Sequence, residues 1–162
     1  MEDSSFVEPT SSTPLSIKLG IVPGATLVVL HAPRSFTIDL PPDVTVARRR
    51  RRRADVVITF LVHRDAFATE LEPLSRMIYP SGGLWVAWPK KSSGVATTLN
   101  DDVVRELALA MGLVDNKVCA IDSTWTGLRL VWRTTLRRSK DEEFEASRIS
   151  SSSRLRRRDP SH

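Results

Sequence analysis

Glycine is scarce in this chain, and its placement matters more than its number. Seven glycines occur among 162 residues, and none lies between Gly24 and Gly82. That gap leaves no room for a glycine-rich phosphate or dinucleotide turn after an early strand, since such turns need backbone that a side chain would block. Cysteine is scarcer still. The single Cys119 excludes an internal disulfide, and its place inside an apolar run marks it as a small buried packing residue. No apolar run approaches the ~20 residues that span a bilayer. Met1 to Ser5 carries acids and no basic or apolar leader, so the expectation is a cytoplasmic protein with no membrane association. No spaced metal-ligand cluster, no Ser–His–Asp order and no Walker-type lysine loop is present, because Lys90-Lys91-Ser92 lacks the preceding glycine frame.

What is present is an ordinary apolar content of 41% and a charged fraction of 27%, with a net charge of +5. The length fits one domain with disordered ends: 1–13 at the N-terminus, a single α/β domain over 14–133, and a basic tail over 134–162. The charge is local. Arg48, Arg49, Arg50, Arg51, Arg52 and Arg53 form one unbroken run, and a second basic patch lies in the tail. High isoelectric point therefore does not imply a basic domain face. A run of guanidinium groups can bind a phosphate backbone. With no interleaved aromatic residues and no zinc or helix-turn-helix signature, nucleic acid is not the favoured partner, although it is not excluded.

The apolar pattern predicts a parallel α/β sheet. Ala25 to Leu30, Asp55 to Val62, Leu84 to Trp88 and Lys117 to Ile121 are runs too apolar for half-exposed strands. Val44 to Val46 is a possible short strand. Phe67, Leu71, Leu74 and Ile78 share one helical face, capped by Asp65, with Pro73 expected to kink or split the helix. Asn100 is the expected cap of a second helix ending at Gly112, with Val103, Leu107, Ala110 and Met111 toward the sheet. Gly127 to Trp132 alternates like a half-exposed edge strand. The link from Asp122 to Thr126 is too short for a crossover helix, so the last two strands must pair antiparallel. The expected fold is a small Rossmann-like three-layer sandwich, its sheet mostly parallel with an antiparallel edge strand.

Ser81 to Val86 resembles the strand-opening turn of the methyltransferase-like Rossmann superfamily, and the closing hairpin matches its second half. Gly82 to Lys91, Asp102 to Glu106, Gly112 to Asp122 and Trp125 to Leu130 resemble a bacterial family known as domain of unknown function 3052. The resemblance covers about 15–133 and implies the fold and a bacterial origin without an activity. Working methyltransferases place a glycine-rich turn after the first strand and an acid after the second. Here the corresponding positions read His31-Ala32-Pro33-Arg34 and Ala47-Arg48. That departure argues against S-adenosylmethionine or a dinucleotide bound in the usual manner, and leaves the cofactor unknown.

In open α/β sheets, ligands gather beyond the carboxyl ends of the strands. This chain supplies His31, Arg34, Arg64, Lys90, Lys91, Ser92, Ser93, Asp122 and Trp125 there. Cations and hydroxyls of this kind suit a small anionic ligand or an acidic protein partner. The expectation drawn is a non-catalytic binding or regulatory domain. A divergent transferase is the first alternative, and a nucleic-acid accessory protein acting through Arg48–Arg53 and the tail is the second.

Overall fold

A computed structural model describes residues 13–134. The segments expected to be disordered, 1–13 and 134–162, lie almost wholly outside that range. Six strands, β1 (Thr26–Leu30), β2 (Thr45–Ala47), β3 (Val56–Phe60), β4 (Gly83–Pro89), β5 (Leu113–Ala120) and β6 (Trp125–Trp132), form one sheet in the order β2-β1-β3-β4-β6-β5. The pairs β1–β2, β1–β3 and β3–β4 are parallel. β6 runs antiparallel to both β4 and β5. The sheet is thus mostly parallel and closes at an antiparallel edge, as the run lengths imply. Within that edge the outermost strand is β5, while β6 lies inward of it. Leu128, Leu130 and Trp132 of β6 are buried, which is why the alternation survives at an interior position.

Among the described residues three α-helices accompany the sheet: α1 (Leu15–Lys18), α2 (Arg64–Ile78) and α3 (Asp101–Met111). α2 and α3 cover one face, where Val28, Val57, Leu84, Val86, Leu128 and Leu130 meet Phe67, Leu71, Leu74, Val104 and Ala108. The other face is thinner. Leu27, Val29, Ile58, Phe60, Trp85 and Cys119 are covered there by Leu19 and Ile21 after α1, and by Phe36, Ile38 and Leu40 of the β1–β2 connection. The Trp85 indole N–H donates to the Leu19 carbonyl at 3.0 Å and ties α1 to the sheet.

Several local expectations need correction. α2 is not split at Pro73; it runs unbroken from Arg64 to Ile78. A helix-interior proline costs about 3 kcal/mol or more, whereas each large apolar side chain buried returns about 1.5–3 kcal/mol. Phe67 and Leu71 before Pro73, and Leu74 and Ile78 after it, are all buried, so packing outweighs the break. Asp65 is not the cap of α2. His63 occupies that position, and the Arg64 N–H donates instead to Thr98 Oγ1 at 2.7 Å. Ala110 faces solvent, and Val104 and Ala108 are the buried residues of α3. β5 begins at Leu113, directly after the Gly112 cap, and a bulge between Asp115 and Lys117 shifts its register against β6. That bulge hid the first half of the strand from a period-two pattern.

Candidate functional site

The carboxyl ends of β1, β3, β4 and β5 point to one edge of the sheet, and the loops that leave them are stitched together. Thr97 Oγ1 and the Thr98 N–H both donate to the Val62 carbonyl, at 2.6 and 3.0 Å. The Lys90 N–H donates to the Thr124 carbonyl at 2.8 Å. The loop after β3 is therefore pinned to the segment before α3, and the loop after β4 to the β5–β6 turn.

His31 ends β1 with φ of 59°, in the left-handed region that a glycine would normally occupy. A side chain there costs about 1–3 kcal/mol and often marks a functional position. The sharp turn expected of a glycine is thus present with a histidine in it. Its Nε2 lies 2.7 Å from Glu70 Oε2. Because a carboxylate only accepts, Nε2 carries the proton and Nδ1 is the open acceptor of the neutral ring. The other Glu70 oxygen lies 3.4 Å from the hydroxyl of Thr59, which is fully buried in β3. The His31 side chain is 51% exposed and that of Glu70 is 24% exposed. The cluster thus joins the end of β1, the end of β3 and the second turn of α2, open to solvent on the imidazole side.

Sequence reading placed His31 here and missed Glu70 and Thr59. Glu70 stands three residues after Phe67 on α2 and looks like an ordinary solvated helix acid. Thr59 left a faint signal as the lone polar residue in the run Val56 to Leu61.

The remaining rim residues separate into distinct roles. Lys90 and Lys91 line a cavity of about 440 Å³ with Trp88, Thr97, Asn100 and Thr126, on the α3 side of β4 and β6. Lys91 to Ser93 forms a single 3₁₀ turn, and the Ser93 hydroxyl donates to the Lys90 carbonyl at 2.6 Å. Ser92 and Arg34 are exposed. Arg64 lies 3.7 Å from exposed Asp65. Asp122 Oδ1 accepts from the Thr124 and Trp125 N–H groups at 2.8 and 2.9 Å and shapes the turn. Trp125 packs edge-on against Phe60 at 5.1 Å, and Phe60 against Phe36 at 5.0 Å, so its ring covers the sheet end on the thin face. Cys119 is free and buried, and burial raises its pKa despite the opposing charges of Lys18 and Lys117. Among the described residues no His, Cys, Asp or Glu group is clustered to hold a metal ion. No helix among them is long and apolar enough to cross a membrane.

A mostly parallel sheet with an inserted antiparallel last strand is the methyltransferase-like Rossmann fold, and the solved structures that align with TM-scores of 0.50 and above agree. A SAM-dependent methyltransferase from Aquifex aeolicus aligns with a TM-score of 0.51 at 11% identity, over 75% of this chain and 94% of its own. LepI in complex with SAM aligns with a TM-score of 0.50 at 11% identity, over 81% of this chain and 50% of its own. Magnesium protoporphyrin IX methyltransferase from Synechocystis PCC 6803 aligns with a TM-score of 0.43 at 11% identity, over 56% of this chain and 51% of its own. The chain thus spans about half the length of the last two. At these identities the likeness establishes the fold. No family model matches the chain, which leaves the resemblance to domain of unknown function 3052 without support from that comparison. No curated protein matches it either. The expectation of a non-catalytic binding domain is corrected here, because the fold is shared with a SAM-dependent methyltransferase and with a SAM-bound protein.

The site itself departs from the usual cofactor grip. β1 ends in His31 and not in a glycine turn, and β2 leads through Ala47 into Arg48, with no carboxylate for a ribose. His31, hydrogen-bonded to Glu70, stands in the turn where a glycine would let backbone approach a ligand. These residues do not fit S-adenosylmethionine held in the usual manner.

Proposed function

We propose that the protein is a divergent transferase of the methyltransferase-like class, working at the carboxyl edge of its sheet. One observation carries the reading: an imidazole placed in a strained turn at the end of β1 and hydrogen-bonded to Glu70 at 2.7 Å. Group transfer to a hydroxyl, amine or thiol requires loss of a proton from the attacking atom. A histidine whose Nε2–H is fixed by a carboxylate presents Nδ1 as the base for that proton. Glu70 is the positioning residue, and Thr59 orients Glu70. The cavity beside Lys90 and Lys91 would admit an acceptor carrying negative charge, since two ammonium groups and the α3 N-terminus border it against the single carboxylate of Asp101.

The test pairs binding with turnover. The full chain is screened by thermal shift against group donors, including S-adenosylmethionine, nucleotide sugars and acyl-coenzyme A, and transfer is assayed with whichever donor stabilises it. The expected result is stabilisation by one donor class, with turnover cut about 10²–10⁴-fold in His31→Ala at unchanged folding. Stabilisation by no donor, or full turnover in His31→Ala, overturns the reading.

A second reading, a nucleic-acid accessory role, is favoured by a separate observation. Arg48 to Arg53 are all exposed, and none makes an ion pair with a described residue. Six uncompensated guanidinium groups beside the outer strand β2 form an attractive surface for a polyanion.

A further inference from the structure

Arg129 is the one charged residue of β6, and it is half-buried. It sits opposite Trp85 on the thin face of the sheet. Its guanidinium lies in a slot made by a missing side chain: a Cβ on Gly83 would stand 2.5 Å from Arg129 Nε and 2.7 Å from Cζ. Burial lowers the Arg129 pKa, and no neighbouring carboxylate offsets that cost. One acid, Asp55, lines an adjoining cavity together with Arg129. Its Oδ2 is already taken by the Thr26 N–H at 2.8 Å, and it makes no ion pair with Arg129.

On its other side Arg129 lines a cleft of about 190 Å³ with Lys18, Leu19, Gly20, Asn116 and Lys117. Three cations and one amide border this cleft and no acid does. Lys117 is held in place, since its ammonium donates to the Lys18 carbonyl at 2.6 Å. The β5 bulge at Asp115/Lys117 is what brings Asn116 and Lys117 to the cleft. A partly desolvated, unpaired guanidinium with two further cations converging on a small void is costly unless an anion completes it.

We propose that this cleft, between α1 and the β5–β6 hairpin, is a binding site for a small oxyanion of the phosphate class, gripped by Arg129 with Lys18 and Lys117. Convergence of three cations selects a multiply charged anion over a single carboxylate. The site lies toward the amino ends of the parallel strands, away from the His31–Glu70 edge, and stands whether or not that edge transfers a group.

Thermal unfolding of the full chain in chloride buffer of matched ionic strength tests it, with inorganic phosphate, glycerol 3-phosphate or acetate added. At ~10 mM phosphate the wild type is expected to gain about 2–4 °C in Tm. Arg129→Met, which fills the slot without charge, is expected to fold with no loss of Tm in phosphate-free buffer and to show no gain with phosphate. A larger gain with glycerol 3-phosphate assigns the ligand as a phosphomonoester, and an equal one assigns it as phosphate itself; both uphold the site. The proposal is overturned if phosphate gives the wild type no gain. An equal gain in Arg129→Met, the sign of a general salt effect, also overturns it, as does an acetate gain as large as that from phosphate. Should Arg129→Met fail to fold, Lys117→Gln decides: a reduced gain supports the site and an unchanged one counts against it.

Discussion

Two adjacent glycines show how differently neighbouring positions can be constrained. A Cβ on Gly82 would meet three backbone carbonyl oxygens, of Ala54 at 2.8 Å, Asp55 at 2.9 Å and Ile78 at 3.0 Å. Those atoms belong to the entry of β3 and the end of α2, and neither can retreat without moving an element. The three atoms nearest a Cβ on Gly83 would all belong to the Arg129 side chain, which can swing aside. Gly82→Ala is therefore expected to cost about 2 kcal/mol or more by overpacking, and Gly83→Ala clearly less, with urea unfolding of both as the measurement. Equal losses would mean that the guanidinium is as firmly fixed as the backbone. In sequence both glycines read simply as a turn. Their separate jobs, one admitting backbone and one admitting a cation, depend on partners as far as 28 and 46 residues away.

The elements were legible where one segment settles its own structure. Asn100 followed by two acids and a 3.6-residue apolar period gives a helix start, and its Oδ1 does accept from the Val103 N–H at 2.9 Å. Gly112 with φ of 101° ends the same helix. Asn100→Ala is expected to cost about 1 kcal/mol, read as a lower urea midpoint at unchanged m-value. The Arg105 contacts to Asp115 at 3.0 Å and to Asp101 and Asp102 raise the arginine's pKa, but they are exposed or only half-buried and add little, so docking of α3 rests on Val104 and Ala108. Legibility failed where two distant segments decide the outcome. Nothing local to Glu70 announces His31, and nothing local to Arg129 announces Gly83. Asp65 looked like a cap because caps are chosen locally, yet Thr98, from a loop 34 residues away, supplies the acceptor. The apolar runs mark β1, β3 and β4 well, because strands buried on both faces must be apolar throughout. Lys117 to Ile121, read the same way, is instead part of the half-exposed outer strand β5, where Val118 and Ala120 face solvent. The runs carry no register, and so could not place β6 inward of β5.

At the scale of the molecule, charge is decided by one loop. Arg48 to Arg53 join the outer strand β2 to β3 and are exposed, so they bear on solution behaviour more than on folding. Replacing all six by serine takes the net charge from +5 to −1, yet it removes no buried side chain and no ion pair within the described residues. Stability is expected to stay within about 0.5 kcal/mol, as for surface changes away from packed features. Binding to a polyanion would change in a way that discriminates cause. If the run neutralises phosphates, duplex binding falls with salt at a log–log slope near −0.9 per phosphate contact. Six contacts would give a slope of about −5, and the serine variant would lose about that much slope along with its affinity. Gel retardation across a salt series reads both. A wild type that fails to retain duplex even at low salt removes the nucleic-acid reading. Retention with an unchanged slope in the serine variant places the contacts elsewhere on the chain.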